Sequence, residues 1–213
     1  MANEIPWKTL SEAYAFIGNS LLKPMTMTST VGLDPAFWAS FPTFDDDAVA
    51  EAVASCARYA EGAAQRGEAG EDEPQRAAVE YTKLFVGPPS PAAAPWETMY
   101  RGQDVTVGFG QATFEMRELL RAAGLEVKNE NNQYEDHMGI ELLYLSSQCA
   151  RIDAGMGDAP EAEAVADFIE GHPLSWAEAF RARIAETAPN GYFAPLVGLA
   201  QALLGWHAQT LRS

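Results

Sequence analysis

The sequence predicts an all-α protein of roughly eight to ten helices. Three observations lead there. Apolar residues recur at helical spacing from one end of the chain to the other, residues that start and stop helices punctuate them, and no strand-like alternation runs longer than Asp104–Phe109.

The elements follow in order. Leu10, Ala13, Tyr14, Ile17 and Leu21 form the i, i+3, i+4, i+7 stripe of a first amphipathic helix. Asp45 to Asp47 cap and charge the start of a second, carrying Val49, Val53, Cys56 and Ala60 inward. Gly67 to Glu73 reads as an exposed acidic loop, and Pro74 suits the first turn of a helix running through Tyr81, Leu84 and Phe85. Gly87-Pro88 stops it, and the run to Trp96 (GPPSPAAAPW) holds enough proline to be a loop. A helix fits about 110–123, carrying Phe114, Met116, Leu119 and Leu120, and closes at Gly124. The polar run at 129–133 is a loop, and a long helix from about Glu135 carries Ile140, Leu143, Tyr144 and Ile152 to Gly155. Glu135 and Asp136 are expected in its first turn, where acidic groups favour the positive end of the dipole. Pro160 and Gly171 bound another helix, Ser175 to Glu178 match a capping box, and a final helix bears Phe193, Leu196, Val197, Leu203, Leu204 and His207. The whole chain, 1–213, is expected to form one helical domain, with a seam near 125–134 dividing two lobes.

Composition narrows the partners. Thirty acidic side chains against fourteen basic ones give a net charge of −16. That surface repels nucleic-acid phosphates and attracts a basic segment within a screening length of about 8 Å. No basic-then-apolar leader opens the sequence, and its longest nearly apolar stretch, Tyr192 to Trp206, is short of the roughly 20 residues a bilayer requires. Cys56 and Cys149 lie in apolar-periodic segments and form no CxxC pair, which fits a reducing compartment. A cytoplasmic protein without stable membrane insertion is the expectation.

Motifs for chemistry are absent. Gly108-Phe109-Gly110 lacks the third glycine and the lysine of a phosphate loop. The histidines, His137, His172 and His207, are too scattered to read as a metal centre. His137 and Glu141, four apart on one helix face, could share a metal but read as a hydrogen-bonded surface pair. The sequence therefore points away from an enzyme and assigns no cofactor. What remains unexplained is a stiff proline loop closing on Pro95-Trp96, a shape suited to gripping an apolar side chain, although Trp96 by itself reads as a plug of the core. Asp136-His137, opening a helix after a polar loop, reads by itself as a cap beside a surface histidine.

Taken together, EYTKLFVGPPSPAAAPWETMY (80–100) and NQYEDHMGIELLYLS (132–146) resemble the TorD/DmsD family of redox-enzyme maturation chaperones. The resemblance extends over about 75–210 through Phe168, His172, Pro173, Trp176 and Phe180. It implies an all-α chaperone that binds the twin-arginine signal peptide of a molybdopterin oxidoreductase, and the body of that enzyme, until the cofactor is inserted. The translocation machinery is a further implied partner, and a NarJ-like chaperone for a non-exported subunit is the alternative. By motif, the peptide-binding positions fall on Tyr81, Leu84, Phe85, Pro95, Trp96, Asp136 and His137. Tyr81 stands where relatives carry tryptophan. In this reading Leu84, Phe85, Pro95 and Trp96 line an apolar groove, Asp136 pairs with an arginine, and His137 orients that carboxylate.

Overall fold

A computed structural model describes residues 5–102, 105, 107–127 and 133–213. The protein is all-α: among these residues the regular elements are helical, with one isolated antiparallel bridge, Trp96 to His137. The α-helices are α1 (Trp7–Leu22), α2 (Pro35–Ala39), α3 (Asp47–Glu68), α4 (Glu73–Tyr81), α5 (Gln111–Ala122), α6 (Met138–Asp153), α7 (Ala162–Gly171), α8 (Pro173–Thr187) and α9 (Phe193–Leu211). By internal contacts the chain divides into one unit of Met1–Asn19, Pro95–Trp176 and His207–Ser213 and another of Ser20–Ala94 and Ala177–Trp206. The seam expected near 125–134 and the loop at 129–133 fall largely on residues outside those described.

The second unit shows how the motif segment 81–85 is held. α3 starts at Asp46, whose carboxylate accepts the Val49 amide at 2.9 Å, and buries Val49, Val53, Cys56 and Ala60. α4 is capped by Asp72 and has Pro74 in its first turn. It then widens into a single π-helical turn, Thr82–Val86, ended by Gly87 at φ 96°, a conformation natural to glycine. That wider turn sends both Leu84 and Phe85 inward. Phe85 meets Tyr81, Phe180 and Phe193 at centroid separations of 5.3, 5.8 and 5.0 Å, and the Tyr81 hydroxyl donates to the Leu22 carbonyl at 2.8 Å. Glu80 closes the cluster from outside, its carboxylate accepting the Tyr192 and Phe193 amides at the start of α9, both at 3.0 Å. The proline loop folds back on the π turn through Ala93 N to Leu84 O at 2.9 Å.

In the first unit α1 and α6 approach so closely that a methyl group on Gly18 would stand 2.9 Å from the Gly139 carbonyl. The Ser146 hydroxyl donates to the Ser11 carbonyl at 2.8 Å. The Tyr14 hydroxyl lies 3.1 Å from Nδ1 of the buried His207, whose pKa burial pushes down to about 3.

Several local expectations are corrected. The acidic loop is shorter than Gly67–Glu73, because α3 continues through Glu68 and Glu73 is buried, bound two-pronged to Arg66 at 2.7 and 2.8 Å. Phe114 is exposed, and α5 buries Ala112, Thr113, Met116 and Leu120 instead. α6 begins at Met138 with His137 as its N-cap, so Asp136 lies before the helix. The Ser175 hydroxyl donates to the His172 carbonyl at 2.7 Å inside α8, which starts earlier, at Pro173. The alternation at Asp104–Phe109 forms no strand among its described residues.

Leu84 is completely buried, and its truncation leaves a cavity under the π turn. Leu84→Ala should lower the stability of the chain by about 2–5 kcal/mol, measured by urea unfolding.

Candidate functional site

The site begins with a backbone clip. Glu97 N donates to Asp136 O and Met138 N to Pro95 O, both at 2.9 Å, so the end of the proline loop pairs with the start of α6. Between these bonds Trp96 and His137 stand opposite each other, and opposed residues of an antiparallel pair project to the same face.

The Asp136 side chain ties the clip to two further segments. One carboxylate oxygen accepts the Thr98 amide and the other the Thr113 hydroxyl, each at 2.9 Å. Thr113 in turn accepts the Gly110 amide at 3.1 Å, closing the start of α5. Asp136 is fully buried, and burial raises its pKa against these hydrogen bonds, which pull it down. The residues that orient this carboxylate are thus Thr98 and Thr113. His137 serves the helix instead, because its Nδ1 accepts the Gly139 amide at 2.9 Å and caps α6. That bond leaves the ring proton on Nε2. Burial pushes the imidazole pKa down to about 3, so the ring is neutral.

Two buried donors on the shared face lack an acceptor among the described residues: His137 Nε2 and Trp96 Nε1. Each orphaned donor costs about 1–3 kcal/mol of desolvation, which a ligand oxygen or a water would recover.

Around Trp96 the surface turns aromatic. Its ring lies 5.6 Å from Tyr134, Tyr134 lies 5.5 Å from Phe109, and Phe109 lies 5.0 Å from Phe114. Phe109 and Phe114 are 39% and 48% exposed, which makes this a continuous accessible apolar surface. Arg117 lies over both phenylalanines at about 6 Å and pairs two-pronged with Glu135 at 2.9 and 3.0 Å.

The candidate residues therefore separate. Pro95, Trp96, Asp136 and His137 come together in the clip, while Tyr81, Leu84 and Phe85 form the aromatic cluster of the other unit. Trp96 is half-exposed and the rest are buried. The outward neighbours of Tyr81–Phe85, among them Val79, Thr82 and Lys83, line an open cleft of about 510 Å³ with Pro24, Gly87 and Pro88. Sequence reading missed Thr98 and Thr113, ordinary residues whose role is visible only once the clip forms. It also misplaced His137 and Glu141, both fully buried instead of at the surface. Glu141 turns to Trp176, whose indole N–H donates to it at 3.1 Å.

Comparison with known proteins places this helical chain in a family. The family model described as nitrate reductase delta subunit matches residues 44–182, and the chain belongs to that family, the TorD/NarJ family. Among individual relatives, it is 29% identical over 130 residues to the chaperone protein TorD of Vibrio cholerae, covering 60% of this chain and 58% of that one. It is 27% identical over 132 residues to the Tat proofreading chaperone DmsD of Salmonella typhimurium, covering 62% and 60%. TorD of Aliivibrio salmonicida is 28% identical over 128 residues, covering 58% and 59%. The chain thus spans somewhat less than two thirds of the length of these relatives.

Because His137 is neutral in the folded protein, its pKa lies below the unfolded value of about 6.5. Its contribution to stability is present above about pH 6.5 and is lost as pH falls toward 3, at up to about 1.4 kcal/mol per pH unit. His137→Asn, which keeps a capping oxygen, should flatten the fall in urea stability between pH 7 and 5 relative to the native chain.

Proposed function

We propose that this protein is a cytoplasmic chaperone of redox-enzyme maturation that binds the twin-arginine signal peptide of a molybdopterin oxidoreductase and holds it until the enzyme is assembled. Family membership supports the chaperone class, and the name of the DmsD relatives, Tat proofreading chaperone, supports the kind of partner. The observation that carries the reading in this chain is the accessible aromatic surface continuous with Trp96, beside two buried donors that lack acceptors. A signal peptide brings an apolar stretch of about 7–15 residues, preceded by positive charge. The aromatic run suits the first and the net charge of −16 suits the second.

Within this proposal the residues named by motif divide their work. Trp96 contacts the peptide, and its neighbours Tyr134, Phe109 and Phe114 extend the contact. Asp136, His137 and Pro95 set the position of Trp96, and Tyr81, Leu84 and Phe85 shape the wall behind the 510 Å³ cleft. An arginine of the peptide finds exposed carboxylates before it finds Asp136, with Glu135 the acid next to Tyr134 and already engaged in a two-pronged arginine pair. The protein binds and releases; it catalyses nothing in this account. Among the described residues no helix is long and apolar enough to cross a membrane.

The second reading is an assembly chaperone that binds the N-terminus of a non-exported reductase subunit, favoured by the family description as nitrate reductase delta subunit. Calorimetric titration with a twin-arginine signal peptide, its twin-lysine version and the N-terminal peptide of a non-exported subunit separates the two. The proposal expects micromolar binding, about −8 kcal/mol, to the first and weaker binding to the second. Preference for the third would replace it with the alternative. Trp96→Ala should weaken binding of the preferred peptide by about 2 kcal/mol or more; an unchanged affinity would remove Trp96 from the contact surface.

A further inference from the structure

Beside the clip lies a polar cluster that peptide binding does not use. Glu97, the residue after Trp96, is fully buried, as is Glu141 on α6, and His172 sits at the junction of α7 and α8. One ligand atom from each, two carboxylate oxygens and an imidazole nitrogen, lie within 4.8 Å of one another. Glu97 Oε2 stands 3.0 Å from His172 Nδ1. Ligand atoms around a single zinc ion at about 2.0–2.1 Å stand roughly 3–3.5 Å apart, so the set needs only modest closure.

The decisive feature is Glu141. Its Oε2 accepts the Trp176 indole N–H at 3.1 Å, while its Oε1 is buried with no hydrogen-bond donor aimed at it among the described residues. Burial first, then the neighbouring Glu97 charge, raise its pKa well above the ordinary value. A cation beside that oxygen would meet both carboxylates. The surroundings are those of a prepared site. Trp176 orients Glu141, Phe168 stacks on the His172 ring at 5.2 Å, and Arg101 holds Glu97 Oε1 at 2.7 Å. Such outer contacts fix the direction of metal ligands.

The charged and titratable groups facing the cluster are Arg101, Glu115 bound to Arg101, and Asp136. Arg101 is the competing cation. Its side chain is 33% exposed, bonds Oε1 of Glu97 and lies 3.5 Å from His172 Nδ1, while Oε2 of Glu97 faces His172.

We propose that Glu97, Glu141 and His172 form a binding site for one divalent transition-metal cation of the zinc class. Binding places both carboxylates and His172 Nδ1 on the ion, the hydrogen that bridges Nδ1 and Glu97 Oε2 moving to the far ring nitrogen, with remaining positions open to water. Spacing in the sequence conceals the set, because its members come from three separate segments.

The whole chain, tag removed and treated with chelator, is titrated with Zn²⁺ by calorimetry. Co²⁺ serves as the optical probe. One ion per chain and a visible Co²⁺ spectrum without a thiolate charge-transfer band are expected. Glu141→Gln and His172→Gln should each weaken binding about 100-fold, and Trp176→Phe about 10-fold. No uptake by the folded native chain would overturn the proposal. So would a thiolate band, which puts the ion on Cys56 or Cys149, or undiminished binding in the variants. Should Glu141→Gln fail to fold, the more exposed His172→Gln decides the result.

Discussion

The Asp136 carboxylate is the interaction on which the candidate site depends. It is fully buried and is satisfied by the Thr98 amide and the Thr113 hydroxyl, so it fastens the segment after the proline loop, the start of α5 and the start of α6 to one another. The two backbone bonds of the clip then fix Trp96 against Tyr134. Take the carboxylate away and three segments lose a common partner, leaving buried donors unsatisfied. Burying the charge is costly, as the raised pKa shows, and the fold bears that cost where it fixes geometry instead of where it fills space.

This arrangement changes how the motif residues act. On the proposed reading, the buried Asp136, Leu84 and Phe85 set the shape of the surfaces that meet the peptide: the half-buried Trp96, the exposed Phe109 and Phe114, and the outer face of the Tyr81–Phe85 segment with its cleft. His137 caps α6 and keeps an unpartnered Nε2 donor beside Trp96. On that reading a residue is essential to recognition while acting through its neighbours. The distinction is measurable, because a positioning residue alters stability and affinity together whereas a contact residue alters affinity alone.

Much of the fold was legible in the sequence, for identifiable reasons. The stripe on α1, the Asp46 cap of α3, Pro74 in the first turn of α4 and Gly87 at its end are local signals, each carried by a few residues. The capping-box motif at Ser175 misled because Pro173 is an equally good helix opener two residues earlier. Phe114 stands two residues before Met116, about 200° round the helix, and so faces away from the buried side that carries Met116 and Leu120. In the clip, motif resemblance singled out Trp96, Asp136 and His137, but it could not show that the last two are buried. That depends on Thr98 and Thr113, which carry no signal of their own. Glu97, Glu141 and His172 were hidden for the same reason: their meeting is a product of the tertiary fold.

The central claim is that Asp136 holds the clip and thereby places Trp96. Amide hydrogen exchange on Glu97, Thr98 and Met138 in the native chain and in Asp136→Ala tests it directly, with the core amides of α3 as the internal reference for folding. Slow exchange is expected at these positions in the native chain, with a loss of protection of about 100-fold or more in the variant, α3 remaining protected. Equal protection in both would mean that the clip stands without Asp136 and would contradict the claim.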